Sequence, residues 1–166
     1  MAESYALQEG ENTFTVKAVR GGAEQTATLI VTREQVPVSN RNITVSFKLL
    51  GDDLHGDADE QTGVHTLKDN NLKVWIPKRT YTIPDTNTAL DLITIALEDT
   101  DIDFVNEGSN YISQINGIGE FDNGNLSGWM YTLNGKHPGW GVAEQTLSNG
   151  DDVILHYTDD YTVEEG

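Results

Sequence analysis

Only one stretch of this chain carries apolar residues at helical spacing; almost everywhere else they alternate at the period of a strand. Ala89, Leu92, Ile93, Ala96 and Leu97 form a single stripe over roughly residues 88–98, as expected of a helix that buries one side. Pro84-Asp85-Thr86 supplies polar side chains for its N-cap. Before it, Ile43, Val45, Phe47 and Leu49 alternate with Thr44, Ser46 and Lys48, the signature of a strand with one buried face. A second apolar run, residues 72–76, stops at Pro77, and a third short strand covers residues 80–83. After the helix, residues 111–115, 128–133 and 153–157 read as strands separated by Gly- and Asn-rich turns. Strands, one helix and more strands specify an α+β domain, with the helix packed on a mainly antiparallel sheet in a β-grasp-like arrangement. Its expected core is Ile43, Val45, Phe47, Val74, Leu92, Ile93, Leu97, Ile112, Val153 and Leu155.

A separate β-hairpin precedes this domain. Phe14, Val16 and Ala18 alternate with Thr13, Thr15 and Lys17, Gly21-Gly22 turns the chain, and Ala27, Leu29 and Val31 alternate on the return. A lone hairpin is marginal in water and its edges offer unpaired N–H and C=O groups, so docking on a neighbouring chain, giving a dimer, is expected. Val36-Pro37 lies in the linker, residues 34–40, and the division falls at 1–35 and 36–166. At 166 residues the chain has room for one ordinary domain of roughly 100–150 residues and this extra piece.

With 27 acidic and 10 basic residues the formal charge is -17, which repels phosphate backbones and anionic lipid headgroups. Nucleic acid is not an expected partner, and no apolar run is long enough to span a bilayer. Cysteine is absent, which removes disulfides, thiolate metal sites and a Cys nucleophile. The serine-hydrolase elbow Gly-x-Ser-x-Gly is also absent, and Ser127 sits in turn chemistry. Asp151-Asp152 and Asp159-Asp160 are adjacent pairs, whose side chains point to opposite faces of an extended chain; they read as solvated turn carboxylates rather than a catalytic pair. An enzyme is not expected.

The four histidines, His55, His65, His137 and His156, show no ligand spacing and can converge only through the fold. His156 falls on the strand face opposite Val153, Leu155 and Tyr157 and is expected at or near the surface. Asp52, Asp53, Asp57 and Asp59 crowd an oxygen-rich loop suited to calcium, yet the register of a calcium-binding loop is missing. That loop is either a Ca²⁺ site or simply acidic and solvated. Aromatics make the stronger case for a binding surface: Trp129, Tyr131, Trp140, Tyr157 and Tyr161 lie close together in sequence among glycines, with Asn134 and His137 between them. Two readings stand for this group. Trp129 and Tyr131 share a strand face and belong to the core, or they grip a ligand; Trp140, between Gly139 and Gly141, either caps a hairpin or is exposed.

The residues Gly128-Trp129-Met130-Tyr131, Asn134-Gly135, Pro138, Gly141, Asn149-Gly150-Asp151 and His156-Tyr157-Thr158-Asp159-Asp160-Tyr161 resemble the transcobalamin C-terminal-like domain, a family of unknown function on Gram-positive surface proteins. Residues 11–33 resemble the last two strands of a bacterial immunoglobulin-like domain. The resemblance implies a non-enzymatic extracellular module, for adhesion, spacing or ligand presentation at the cell wall or cell surface, within a larger protein. It also allows a cobalamin-like ligand, since in transcobalamin this domain covers one side of bound cobalamin; the helical domain completing that pocket is not in this sequence. Carbohydrate or peptidoglycan binding through the aromatics is the third reading.

Overall fold

The chain divides into two compact units, Met1–Val38 and Ser39–Gly166, and a computed structural model describes residues 6–8, 10–33, 41–52, 64–108 and 110–164. In the first unit, strands β1 (Gly10–Arg20) and β2 (Ala23–Arg33) pair antiparallel, with Phe14 opposite Leu29 and Val16 opposite Ala27. Gly21 and Gly22 take positive φ, 58° and 84°, the backbone a tight hairpin turn requires. None of its described residues is fully buried.

The second unit holds a four-stranded sheet in the order β4-β3-β9-β8 and a three-stranded sheet in the order β5-β6-β7. The strands are β3 (Asn42–Gly51), β4 (Lys73–Pro84), β5 (Phe104–Glu107), β6 (Tyr111–Ile115), β7 (Ile118–Gly119), β8 (Gly128–Leu133) and β9 (Asp152–Thr158), with helix α1 (Ala89–Asp99) between β4 and β5. Only the β3–β9 pair is parallel among the described ladders, so the sheets are mainly antiparallel. The helix buries Ala89, Leu90, Leu92, Ile93, Ala96 and Leu97 in one core with Val45, Phe47, Leu49, Val153 and Leu155.

Sequence and structure differ at four places in this frame, each for a local reason. The helix cap is Thr88, not the Pro84–Thr86 turn: the Thr88 hydroxyl accepts the Asp91 N–H and the Asp91 carboxylate accepts the Thr88 N–H at 2.8 Å, a reciprocal capping box. Pro77 does not end a strand. β4 runs through it because β4 is the outermost strand of its sheet and the β3 register slips there, so the missing N–H breaks no ladder bond. Val74, expected in the core, is 55% exposed. Two register slips place Ile76 opposite Leu49 but Val74 opposite Leu50, and a bulge reverses the side-chain parity that simple alternation assumes. Finally, β5 and β7 are short strands that the sequence pattern does not announce.

His156, expected near the surface, is fully buried at 0% exposure. The face of the main sheet opposite the helix is covered by residues 64–71 and by the C-terminal 3-10 turn Tyr161–Val163 with Glu164. His65 N–H donates to Asp159 Oδ2 at 2.6 Å, Asp159 N–H donates to the His65 carbonyl at 3.0 Å, and Leu67 N–H donates to Glu164 Oε1 at 2.8 Å. Under this cover lie Thr132, His156 and Thr158, all buried, and within it Thr66 and Glu164 are buried too.

Candidate functional site

The aromatic group splits in two when it folds. Trp129, Tyr131 and Leu133 alternate along β8 opposite Tyr157, Leu155 and Val153 of β9, which turns both aromatics of β8 into the core. Trp129 Nε1–H donates to the Ile118 carbonyl at 3.0 Å, and its ring meets Tyr157 edge-on at 5.1 Å. The Tyr157 hydroxyl bonds the Gly119 carbonyl and Ser127 Oγ, each at 2.9 Å. Their polar tips are already satisfied inside the protein, so Trp129 and Tyr157 are packing residues rather than ligand contacts. Trp75 stacks beyond them, 5.8 Å from Trp129.

Asn134 is likewise spent on the fold. Asn134 and Gly135 have positive φ, 53° and 77°, and Leu133 and Lys136 exchange backbone bonds of 2.8 and 3.1 Å across them, a two-residue turn that Asn-Gly favours. The Asn134 amide donates to Asp151 Oδ1 at 2.8 Å and its oxygen accepts the Asp152 N–H at 3.0 Å, tying this turn to the start of β9.

Trp140 stands apart at 66% exposure. Its backbone, however, is fixed from both sides. The Tyr131 hydroxyl donates to the Trp140 carbonyl at 2.6 Å, and the next carbonyl, Gly141, accepts the N–H groups of Glu144 and Gln145 at 3.0 Å each. The Val142 and Gln145 carbonyls in turn accept the first N–H groups of α1, from Leu90 and Ala89, at 2.9 and 2.8 Å. A Cβ added at Gly139 or Gly141 would meet nothing within 4 Å, and neither has positive φ. The fold does not demand these glycines; what they provide is open space around a rigidly presented indole.

A second exposed aromatic surface went unread in the sequence. Phe121 is 60% exposed and has φ of 63°, a left-handed conformation that is rare for a bulky residue. Its N–H donates to the Ser127 carbonyl at 3.1 Å, while Tyr161, itself exposed, donates its N–H to the Leu126 carbonyl at 3.0 Å. Tyr161 therefore remains a surface residue, beside Leu126 rather than beside the β8 aromatics.

Two mixed clusters assemble on the covered face of the sheet. In the first, one donor atom from each of His137, His156 and Glu164 lies within 4.8 Å of the others. The His137 and His156 rings stand 5.3 Å apart. His137 Nδ1 faces the Tyr131 carbonyl at 3.0 Å and His156 Nδ1 faces the Tyr157 carbonyl at 3.1 Å; a carbonyl can only accept, so both Nδ1 atoms carry the proton. Burial lowers the His156 pKa to about 4, against the opposing pull of the Glu164 carboxylate. His156 is accordingly neutral.

In the second cluster, Asp52, His65 and Asp159 come together. His65 Nδ1 lies 2.8 Å from both Asp52 carboxylate oxygens, and Asn123 Nδ2 donates to Asp159 Oδ1 at 3.0 Å. Asp159 is thus buried and bonded, not the solvated turn carboxylate its sequence position suggests. Of the expected calcium ligands, Asp52 is buried in this cluster, while Asp53, Asp57 and Asp59 lie outside the described residues. The other carboxylates singled out by adjacency serve turns and strands: Asp151 accepts Ser148 N–H at 2.8 Å, Asp152 accepts the Ser46 hydroxyl at 2.6 Å and meets Lys78 Nζ at 2.9 Å, and Asp160 caps the 3-10 turn.

A small apolar cavity of about 30 Å³ lies on the helix side of the main sheet, lined by Ile93, Tyr111, Trp129, Tyr131, Val142 and Leu155 among others. That is room for about one water molecule.

Residues 87–159, from the approach to α1 through the end of β9, match the model of the Domain of unknown function DUF4430. No curated protein matches the chain. Among solved structures, haptocorrin in complex with Cbi is similar over 75% of this chain at 13% identity and a TM-score of 0.48. The chain spans about a quarter of that protein's length, 26%. A protein of Ruminococcus gnavus for which metal binding has been suggested is similar over 72% of this chain and 99% of its own, at 13% identity and a TM-score of 0.40. The similarity in sequence thus centres on α1 through β9, the part of the chain that builds the Trp140 loop and carries His137 and His156.

Proposed function

We propose that this chain is a non-enzymatic binding domain of a larger bacterial cell-surface protein, β-grasp-like in its second unit and preceded by the last strands of an immunoglobulin-like domain. Its contact surface is the Trp140 loop. One observation carries the reading: an indole left two-thirds in solvent, 66%, whose own carbonyl is held at 2.6 Å by the buried Tyr131 hydroxyl. A backbone already fixed at this position removes the cost of ordering the loop on binding and leaves only the indole's own rotamer freedom to be lost. Aromatic faces of this kind stack on sugar rings and anchor protein interfaces.

The carboxylates and Ser127 that would be needed for hydrolysis are engaged in structural bonds, which supports binding over catalysis. The cavity beneath Tyr131, about 30 Å³, cannot admit a cobalamin-like ligand, and the larger open depressions of about 410 and 430 Å³, beside Phe121 and beside Asp85, are not lined by Trp140. Adhesion to a wall glycan or surface protein through the indole is the reading favoured.

Calorimetric titration with soluble peptidoglycan fragments, and separately with cyanocobalamin, tests it. Saturable binding to the glycan that falls at least about tenfold in Trp140→Ala, equivalent to roughly 1.4 kcal/mol, supports the proposal. Glycan binding undiminished by the substitution, or binding of cyanocobalamin alone, overturns the favoured reading.

A further inference from the structure

We infer that His137, His156 and Glu164 form a binding site for a single divalent transition-metal ion, zinc by its donor set. This goes beyond the Trp140 surface and does not depend on it. The first observation is convergence: residues from the β8–β9 connection, from β9 and from the C-terminal turn, with no motif spacing between them, bring three donor atoms within 4.8 Å of one another. The second is independent. His156 Nε2, on a side chain that is 0% exposed, has no hydrogen-bond partner. A buried polar atom left unpaired is destabilising, and an ion would satisfy it.

The surroundings match how imidazole ligands are held. Metal-binding histidines donate the other ring N–H to a carbonyl or carboxylate, which fixes the tautomer and aims the lone pair. Both histidines here do so: His137 Nδ1 to the Tyr131 carbonyl and His156 Nδ1 to the Tyr157 carbonyl. Glu164 Oε1 lies 3.6 Å from that protonated His156 nitrogen, so the carboxylate joins an ion on Nε2 by rotating toward it. Glu164 is oriented by the Leu67 N–H at 2.8 Å. Two imidazoles and one carboxylate suit zinc or a neighbouring transition metal, whereas calcium and magnesium take oxygen donors. Ligands about 2.0–2.2 Å from one zinc sit closer together than 4.8 Å, so binding draws the three inward. His137 is the partly exposed member and lies just beyond the Asn134-Gly135 turn.

The experiment uses the full chain without an affinity tag, stripped with chelator and titrated with zinc chloride in a calorimeter. The expected result is one ion per chain, with affinity lowered more than about 100-fold in His137→Gln and in Glu164→Gln, and retained in His65→Gln, which disrupts the other cluster. Long-range imidazole nitrogen spectra of the unmutated protein supply a readout that no folding defect can confuse. Zinc should shift the Nε2 signals of His137 and His156 and leave His65 in place. No binding, zinc that survives His137→Gln, or a shift confined to His65 overturns the inference.

Discussion

Gly51 shows what a single position can require. It lies at the end of β3 beneath the Trp75 ring, and a Cβ there would fall 2.0 Å from Trp75 Cε2, so only glycine lets the indole cross the strand on its way to Trp129. Gly51→Ala should cost about 1–3 kcal/mol, the range for overpacking, read as a lowered urea midpoint with unchanged slope. Asp152 provides a pH test. Partial burial works to raise its pKa, but the Ser46 hydroxyl and the Lys78 ammonium outweigh that and hold it below its ordinary value of 3.8. The folded state therefore keeps a stabilising contribution above that value and loses it as pH falls through the lower folded pKa. Asp152→Asn should lower stability near neutrality, where the contribution is fully present, and flatten the acid limb, the difference from the unmutated protein shrinking as pH falls. An acid limb identical in the variant would assign the pH dependence elsewhere.

At the scale of elements, most of the pattern was legible because period fixes face. The alternation in β3, β6 and β9 and the stripe of α1 put nine of the ten expected core residues inside. Leu92, at 0% exposure in the middle of that stripe, should cost about 2–5 kcal/mol on truncation to alanine, against about 1 kcal/mol for Thr88→Ala at the cap. Thermal melts of the two variants check the order as well as the sizes. What alternation could not supply was parity beyond an irregularity: Val74 sits past two register slips, and nothing local to Leu72–Ile76 marks them. Nor could period reveal the cover over His156. That burial comes from residues 64–71 and Glu164, which are polar and carry no strand or helix signature. The candidate site was legible in the same uneven way. The flanking glycines marked Trp140 but left open whether it caps a hairpin or is exposed, while the meeting of His137, His156 and Glu164 required the topology, and Phe121 announced itself only through its backbone angle.

For the whole molecule, the division at residues 38 and 39 predicts that the second unit holds its core without the first. Every residue of the buried apolar cluster lies after Ile43 or at it, so a chain beginning at Ser39 should keep a cooperative thermal transition within a few degrees of the full chain. Loss of that transition would mean the hairpin contributes to the core. We propose the exposed Trp140 as the binding surface, and acrylamide quenching of tryptophan fluorescence checks that assignment. Of the three tryptophans, Trp129 is buried, Trp75 is half-buried and Trp140 is exposed. A strongly quenchable component should disappear in Trp140→Phe and become shielded when soluble peptidoglycan fragments saturate the unmutated protein. A quenchable component that persists in Trp140→Phe, or that stays fully accessible at saturation, would contradict it.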